Sequence, residues 1–246
     1  MRFFRRRRRL DDPPTPVEET VEAVRDVIVS IDEAIAEQVE FDPHWFRRAF
    51  HAFGACFIAV YLLPITGISG HLRFYGPLAI FAGVLGLEAY RMSGRVPTEA
   101  FFGLREYERR RISGYVYFGA ATLTLVYFFP QPIAVACILA SAIGDPILGE
   151  FRRAGFARLS IVAGGAFILG VFLLIGFHPL LSVFATAIMV AAELTKIKHL
   201  DDDLLMPLSS AIVLWAIIGT GLFSWAGVVL PPNPIPTPLE VPFWLR

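Results

Sequence analysis

Apolar positions along the chain fall into two patterns. Val17, Val21, Val24, Ile28, Ile31 and Ile35 recur at steps of 4, 3, 4, 3 and 4, which places them on one stripe of a helix about six turns long. Glu18, Glu19 and Glu22 lie in its first turns, where the helix dipole favours negative charge. From residue 49 onward the stripe gives way to seven near-continuous apolar stretches, approximately 49–65, 74–90, 112–129, 132–149, 159–177, 179–195 and 204–230. A helix needs about 20 apolar residues, with a range of about 17–25, to cross the hydrocarbon core of a bilayer. All seven stretches are near that length, and the links between them are short. The pattern predicts an all-α, polytopic transmembrane helix bundle of about seven spans, preceded by an amphipathic cytoplasmic helix. Three regions follow: a basic tail plus amphipathic helix at 1–43, a transmembrane domain at 44–230, and a Pro-rich external tail at 231–246.

Composition agrees. Of 246 residues, 55% are hydrophobic and 18% charged, against about 45–50% and about 25% in an ordinary soluble domain. A disordered chain, a coiled coil, a collagen-like repeat and a disulfide scaffold are excluded on that ground. Cys56 and Cys137 lie in apolar runs with no metal-ligand spacing around them, and read as small hydrophobes. The basic N-terminus is followed by DDPPTPVEE rather than an apolar segment, so no secretory signal is expected.

The 22 basic and 22 acidic residues sum to zero, but they are segregated. Arg5 to Arg9 form a run suited to anionic lipid headgroups. The acidic outer face of the following helix argues against its lying on anionic lipid; it would dock on the membrane domain, on the bilayer surface or on its copy in a homodimer. With the N-terminus in the cytoplasm, one set of helix ends holds Arg47, Arg48, Arg91, Arg95, Arg105, Arg109, Arg110, Arg111, Arg152, Arg153, Arg158, Lys196 and Lys198. The other holds Arg73 and Arg246. The positive-inside rule then gives N-in, C-out, an integral cell-membrane protein with its working face in the cytoplasm.

Acids within such a domain each need a partner or a task, since insertion costs about 2.5–3.5 kcal/mol apiece. Glu88, Glu106, Glu108, Asp145, Glu150, Glu193, Asp201, Asp202 and Asp203 all fall near the same helix ends. Asp145 lies in SAIGDPILGE, between Gly144, which admits a close backbone, and Pro146, which is expected to break the helix. A carboxylate at such a break is a candidate Mg²⁺ ligand, or else it caps a half-helix or pairs with Arg152. In HLDDDLLMPL, three successive aspartates can cap a helix and bind metal, though they cannot all point one way. Glu88 and Arg91, three apart, can meet on one face and read as a structural pair. Arg109, Arg110, Arg152, Arg153 and Arg158 offer planar forks that grip phosphate. There is no P-loop sequence and no GxGxxG motif, so a nucleotide would be held by Arg, metal and helix ends.

Four segments together resemble the polyprenol kinase family, which comprises dolichol kinase, phytol kinase and the CTP-dependent diacylglycerol kinases and is distantly similar to phosphatidate cytidylyltransferases. They are RRAFHAFG (Arg47–Gly54), EYERRRISGYVYF (Glu106–Phe118), ASAIGDPILG (Ala140–Gly149) and AAELTKIKHLDDDLLMPL (Ala191–Leu208). The resemblance covers 44–230. It implies Mg²⁺-dependent transfer of the terminal phosphate of CTP to a lipid alcohol. Asp145, Glu193, Asp202 and Asp203 would be catalytic, with Asp145 and Asp202 on the metal. Arg109, Arg110, Arg152, Arg153, Arg158 and Gly144 would lie on the nucleotide. Lipid alcohol, nucleotide and anionic lipid are the partners implied, with no nucleic acid. Asp203 stands where the family usually has Asn. EFRRAGFARLS replaces a longer Lys-containing nucleotide loop, which leaves the nucleotide itself open. A cytidylyltransferase making a CDP-lipid is the nearest alternative, and a transporter or non-catalytic scaffold the alternative from another class.

Overall fold

The computed structural model describes residues 43–64, 67–94, 108, 111–195 and 201–219, all within the unit Pro43–Arg246. The basic tail and amphipathic helix, the segment holding Arg109 and Arg110, and the Pro-rich tail lie outside the described residues. Every described element is helical. They are α1 (Pro43–Gly54), continued by a 3₁₀ segment (Ala55–Leu62), then α2 (Gly67–Met92), α3 (Gly114–Phe128), α4 (Gln131–Arg153), α5 (Ala157–Ile175), α6 (Pro179–Leu194) and α7 (Asp202–Gly219). Each falls on one of the seven apolar stretches.

Four of these helices, α2, α4, α5 and α7, are long and apolar enough to cross a membrane, with 26, 23, 19 and 18 residues. The apolar bodies Arg48–Leu62, α3 and α6 are shorter. At 1.5 Å per residue, α3 and α6 reach about 22–24 Å.

Local chemistry sets the helix ends. Leu63 turns extended (φ −77°, ψ 136°) ahead of Pro64, because a residue before proline is driven out of the helical region. Pro132 and Pro179 stand in the first turns of α4 and α6, where a missing N–H costs nothing. Gly176 closes α5 in the left-handed region at φ 102°, which suits a residue without a Cβ.

Helix α4 is the most enclosed. Ile133, Ala134, Ala136, Cys137, Ile138 and Ala140 along it are fully buried. Its small residues bring neighbours close. A Cβ on Gly164 of α5 would stand 2.4 Å from Leu148 Cγ of α4, and one on Gly144 of α4 would stand 2.8 Å from Ile168 Cγ1 of α5. The two helices thus exchange side chains into each other's glycine gaps, the packing that apolar bundles use when hydrophobicity alone gives no drive. On the outside, Leu72, Ile80 and Leu87 of α2, Val162 and Leu174 of α5, Phe184 of α6 and Trp215 of α7 are exposed, an apolar exterior unlike that of a water-soluble monomer.

The helix break expected at Asp145 is absent. Helix α4 runs through Pro146 to Arg153. The proline forfeits one backbone bond, yet the chain stays helical, and the Pro146 carbonyl accepts a hydrogen bond from Arg48 Nη1.

Candidate functional site: a carboxylate cluster at one end of the bundle

Charged residues gather at the end formed by the start of α1, the end of α2, the start of α3, the ends of α4 and α6 and the start of α7. Aromatic contacts tie these pieces together. Phe50 of α1 meets Tyr115 of α3 edge-on at 4.5 Å, and the rings of His51 and Phe118 lie 4.7 Å apart. Arg73, at the opposite end, is buried. It donates to the Leu63 carbonyl at 3.2 Å and stands over the Tyr61 ring at 5.6 Å.

Two constellations share the charged end. In the first, Arg91 of α2 grips Glu88 at 2.6 and 2.8 Å and donates to the carbonyls of Glu108 (3.1 Å) and Arg111 (2.5 Å). Glu88 Oε1 accepts the Ser113 N–H at 2.8 Å and Glu108 Oε1 the Gly114 N–H at 3.2 Å. The N-terminus of α3 is thereby capped by two carboxylates, which answer donors that a helix start leaves open. Here each carboxylate meets a donor, as a structural role requires.

The second constellation holds the residues singled out for chemistry. Asp145 comes from the last third of α4, Glu193 from the last turn of α6, and Asp202 and Asp203 from the first turn of α7. Arg152 Nη2 donates to Glu193 Oε1 at 2.7 Å, while Glu193 Oε2 is buried with no hydrogen-bond partner among the described residues. Glu193 lies close enough to Asp145 and Asp202 to feel the charge of both. Asp201 accepts the Asp203 N–H at 3.1 Å, and its carbonyl receives the Leu205 N–H at 3.0 Å, so it is the residue that caps α7. Burial, then its hydrogen bond with Asp202 and the charge of Asp203, push the Asp201 carboxyl above the usual range. The oxygens of the three aspartates lie within 4.8 Å of one another.

Asp203 points elsewhere as well. Its Oδ1 is 3.1 Å from His51 Nε2, and both side chains are buried. His51, Asp145 and Asp203 offer ligand atoms all within 4.8 Å of one another. The residue that joins Asp145 in a three-ligand set is therefore Asp203, whereas the sequence pointed to Asp202. His51 was visible only as part of the segment Arg47–Gly54.

The phosphate-binding candidates divide. Arg152 stands in the cluster. Arg153, the last residue of α4, and Arg158, in the first turn of α5, are exposed, and Arg109 and Arg110 lie outside the described residues. Gly144 faces Ile168, so its missing side chain serves helix packing. An unforeseen arginine is Arg48, which pairs with Glu150 and lies across Gly149, where a Cβ would be 2.6 Å from its Nη2. Its signal was the same N-terminal segment as that of His51.

No protein-family model, no curated protein and no solved structure matches the chain.

Proposed function

We propose that the chain is a seven-span, N-in/C-out membrane kinase of the polyprenol kinase type, moving the terminal phosphate of CTP to a lipid alcohol at the cytoplasmic face. One observation carries this reading: Asp145, Glu193, Asp202 and Asp203, from three separate helices, converge at one end of an apolar bundle, with Arg152 bonded to Glu193. The shorter helices α3 and α6 cross with the help of their polar flanks, tilt and local thinning being cheap.

The donor set fits a divalent cation. A buried Glu193 oxygen with no hydrogen-bond partner among the described residues, beside two further carboxylates, is costly unless positive charge is near. Mg²⁺ would be held by Asp145 with Asp202 or Asp203, and when bound it neutralises charge on the terminal phosphates. The chain supplies the rest. Arg152, Arg153 and Arg158 bind and orient the polyphosphate. Glu193 or Asp203 accepts the proton of the lipid hydroxyl as its oxygen bonds to the γ-phosphorus and the bond to the β-phosphate oxygen breaks, releasing CDP. Such transfer is mostly positioning and charge stabilisation. The lipid tail lies between helices and the hydroxyl reaches the cluster sideways from the bilayer.

Purified protein given γ-labelled CTP, Mg²⁺ and a lipid-alcohol mixture is the test. Label on lipid supports the kinase, and mass spectrometry then names the lipid. Label on pyrophosphate indicates a cytidylyltransferase. No turnover, together with no thermal shift across a panel of nucleoside triphosphates, points to a transporter or scaffold.

A further inference from the structure

We infer that His51, Asp145 and Asp203 form a mixed nitrogen–oxygen site for a first-row transition divalent cation, which the chain prefers to Mg²⁺. The inference rests on the same cation reading of the cluster as the proposed transfer, but not on the transfer itself.

The spacing leaves room for one shared cation. Ligands about 2.1 Å from a metal and at right angles lie about 3.0 Å apart, and trans ligands about 4.2 Å. His51 Nε2 and Asp203 Oδ1 are 3.1 Å apart, and the Asp145 oxygen lies within 4.8 Å of both. The three come from α1, α4 and α7, so the bundle's tertiary packing, and no local turn, assembles them. A second observation points the same way. Glu193 is 4% exposed, its Oε2 has no hydrogen-bond partner among the described residues, and it feels the charges of Asp145 and Asp202. A cation held on Asp145 would offset the charge that Glu193 feels from it, without taking Glu193 as a ligand.

Nitrogen decides which cation. Mg²⁺ demands oxygen donors and sheds water reluctantly, whereas imidazole suits Zn²⁺, Fe²⁺, Ni²⁺ and Cu²⁺, and Mn²⁺, the weakest binder of the first-row series, sets the most stringent test. With Asp203 on the cation, Glu193 is the carboxylate that remains to take the alcohol proton.

Mn²⁺ is the probe, because it has the charge of Mg²⁺ yet tolerates nitrogen. The purified full chain in detergent, without nucleotide or lipid substrate, is titrated with Mn²⁺ while electron paramagnetic resonance reads the free ion. Pulsed measurement reads coupling to ¹⁴N. The expected result is bound Mn²⁺ that survives an excess of Mg²⁺ of about tenfold, with histidine nitrogen coupling. His51→Gln removes the coupling and weakens Mn²⁺ binding at least about tenfold, leaving Mg²⁺ binding unchanged. The coupling is read on the unaltered chain, so it does not depend on the variant folding. Should His51→Gln lose its helical circular dichroism, Asp203→Asn must weaken Mn²⁺ binding by a similar factor. No Mn²⁺ binding, displacement by equimolar Mg²⁺, no nitrogen coupling, or full coupling in His51→Gln overturns the inference. Mn²⁺ held through His51 with no label leaving CTP keeps this inference and rejects the kinase; label transfer with Mg²⁺ and no nitrogen coupling does the reverse.

Discussion

The knot around Arg91 and the cluster around Asp145 use the same residue types at the same end of the bundle. In the knot, one guanidinium binds a carboxylate and two carbonyls, and two carboxylates cap the start of α3. In the cluster, carboxylates from α4, α6 and α7 crowd together, Arg152 bonds to one of them, and an oxygen of Glu193 has no hydrogen-bond partner among the described residues. In the knot the carboxylates are matched by donors and hold the start of α3 in place. Crowded carboxylates are costly unless they are protonated or meet a cation, and that cost is why the cluster, rather than the knot, is the proposed site.

The sharpest way to break this comparison is to remove one charge from each constellation. Asp145→Asn should cut phosphoryl transfer by about 10³-fold, roughly 4 kcal/mol of barrier, without lowering the melting temperature, because it relieves repulsion on Glu193. Labelled-CTP turnover and a thermal melt read the two effects. Full activity in that variant would sink the assignment of Asp145.

Arg91→Ala should do the opposite. It leaves Glu88 with the Ser113 N–H but without its cation, and losing charged hydrogen bonds in a partly buried pair costs about 1–3 kcal/mol. The melting temperature in detergent should fall, with Mn²⁺ binding to the folded fraction unchanged. An undisturbed melt would mean that the knot is not structural.

An effect of similar size separates packing from chemistry within α4. Gly144→Ala puts a Cβ 2.8 Å from Ile168 Cγ1, and overpacking of this kind costs about 1–3 kcal/mol. Nucleotide affinity should hold in the folded protein. Lost affinity with an unchanged melt would return Gly144 to the nucleotide.

Much of the helical layout was legible because apolar stretches bounded by Arg or Pro have little choice of structure. Asp145, Glu193, Asp202 and Asp203 were legible for a related reason: a carboxylate in an apolar helix is expensive and so stands out. His51 and Arg48 were not. A histidine and an arginine at the start of an apolar stretch look interfacial until α1 is known to pass beside α4 and α7, and no periodicity carries that. Pro146 misled because its rule is local. The lost backbone bond predicts a break, while packing on both sides of α4 and the Arg48 contact to its carbonyl belong to the tertiary structure.

The least effect is expected where neither constellation reaches. Arg153 at the end of α4 and Arg158 at the start of α5 are exposed. Replacing either by Gln should shift stability by less than about 0.5 kcal/mol. Their proposed task is to meet the polyphosphate from the solvent side. Exposed charge contacts are worth about 0.2–1 kcal/mol, so each substitution should raise the KM for nucleotide by up to about fivefold with kcat held. That increment should shrink as salt rises, since the Debye length falls from about 10 Å at 0.1 M to about 3 Å at 1 M. An Arg158→Gln enzyme whose KM matches the parent at low salt would confine phosphate binding to Arg152 and the cluster itself. The polyphosphate would then be met by Arg152 and the proposed cation.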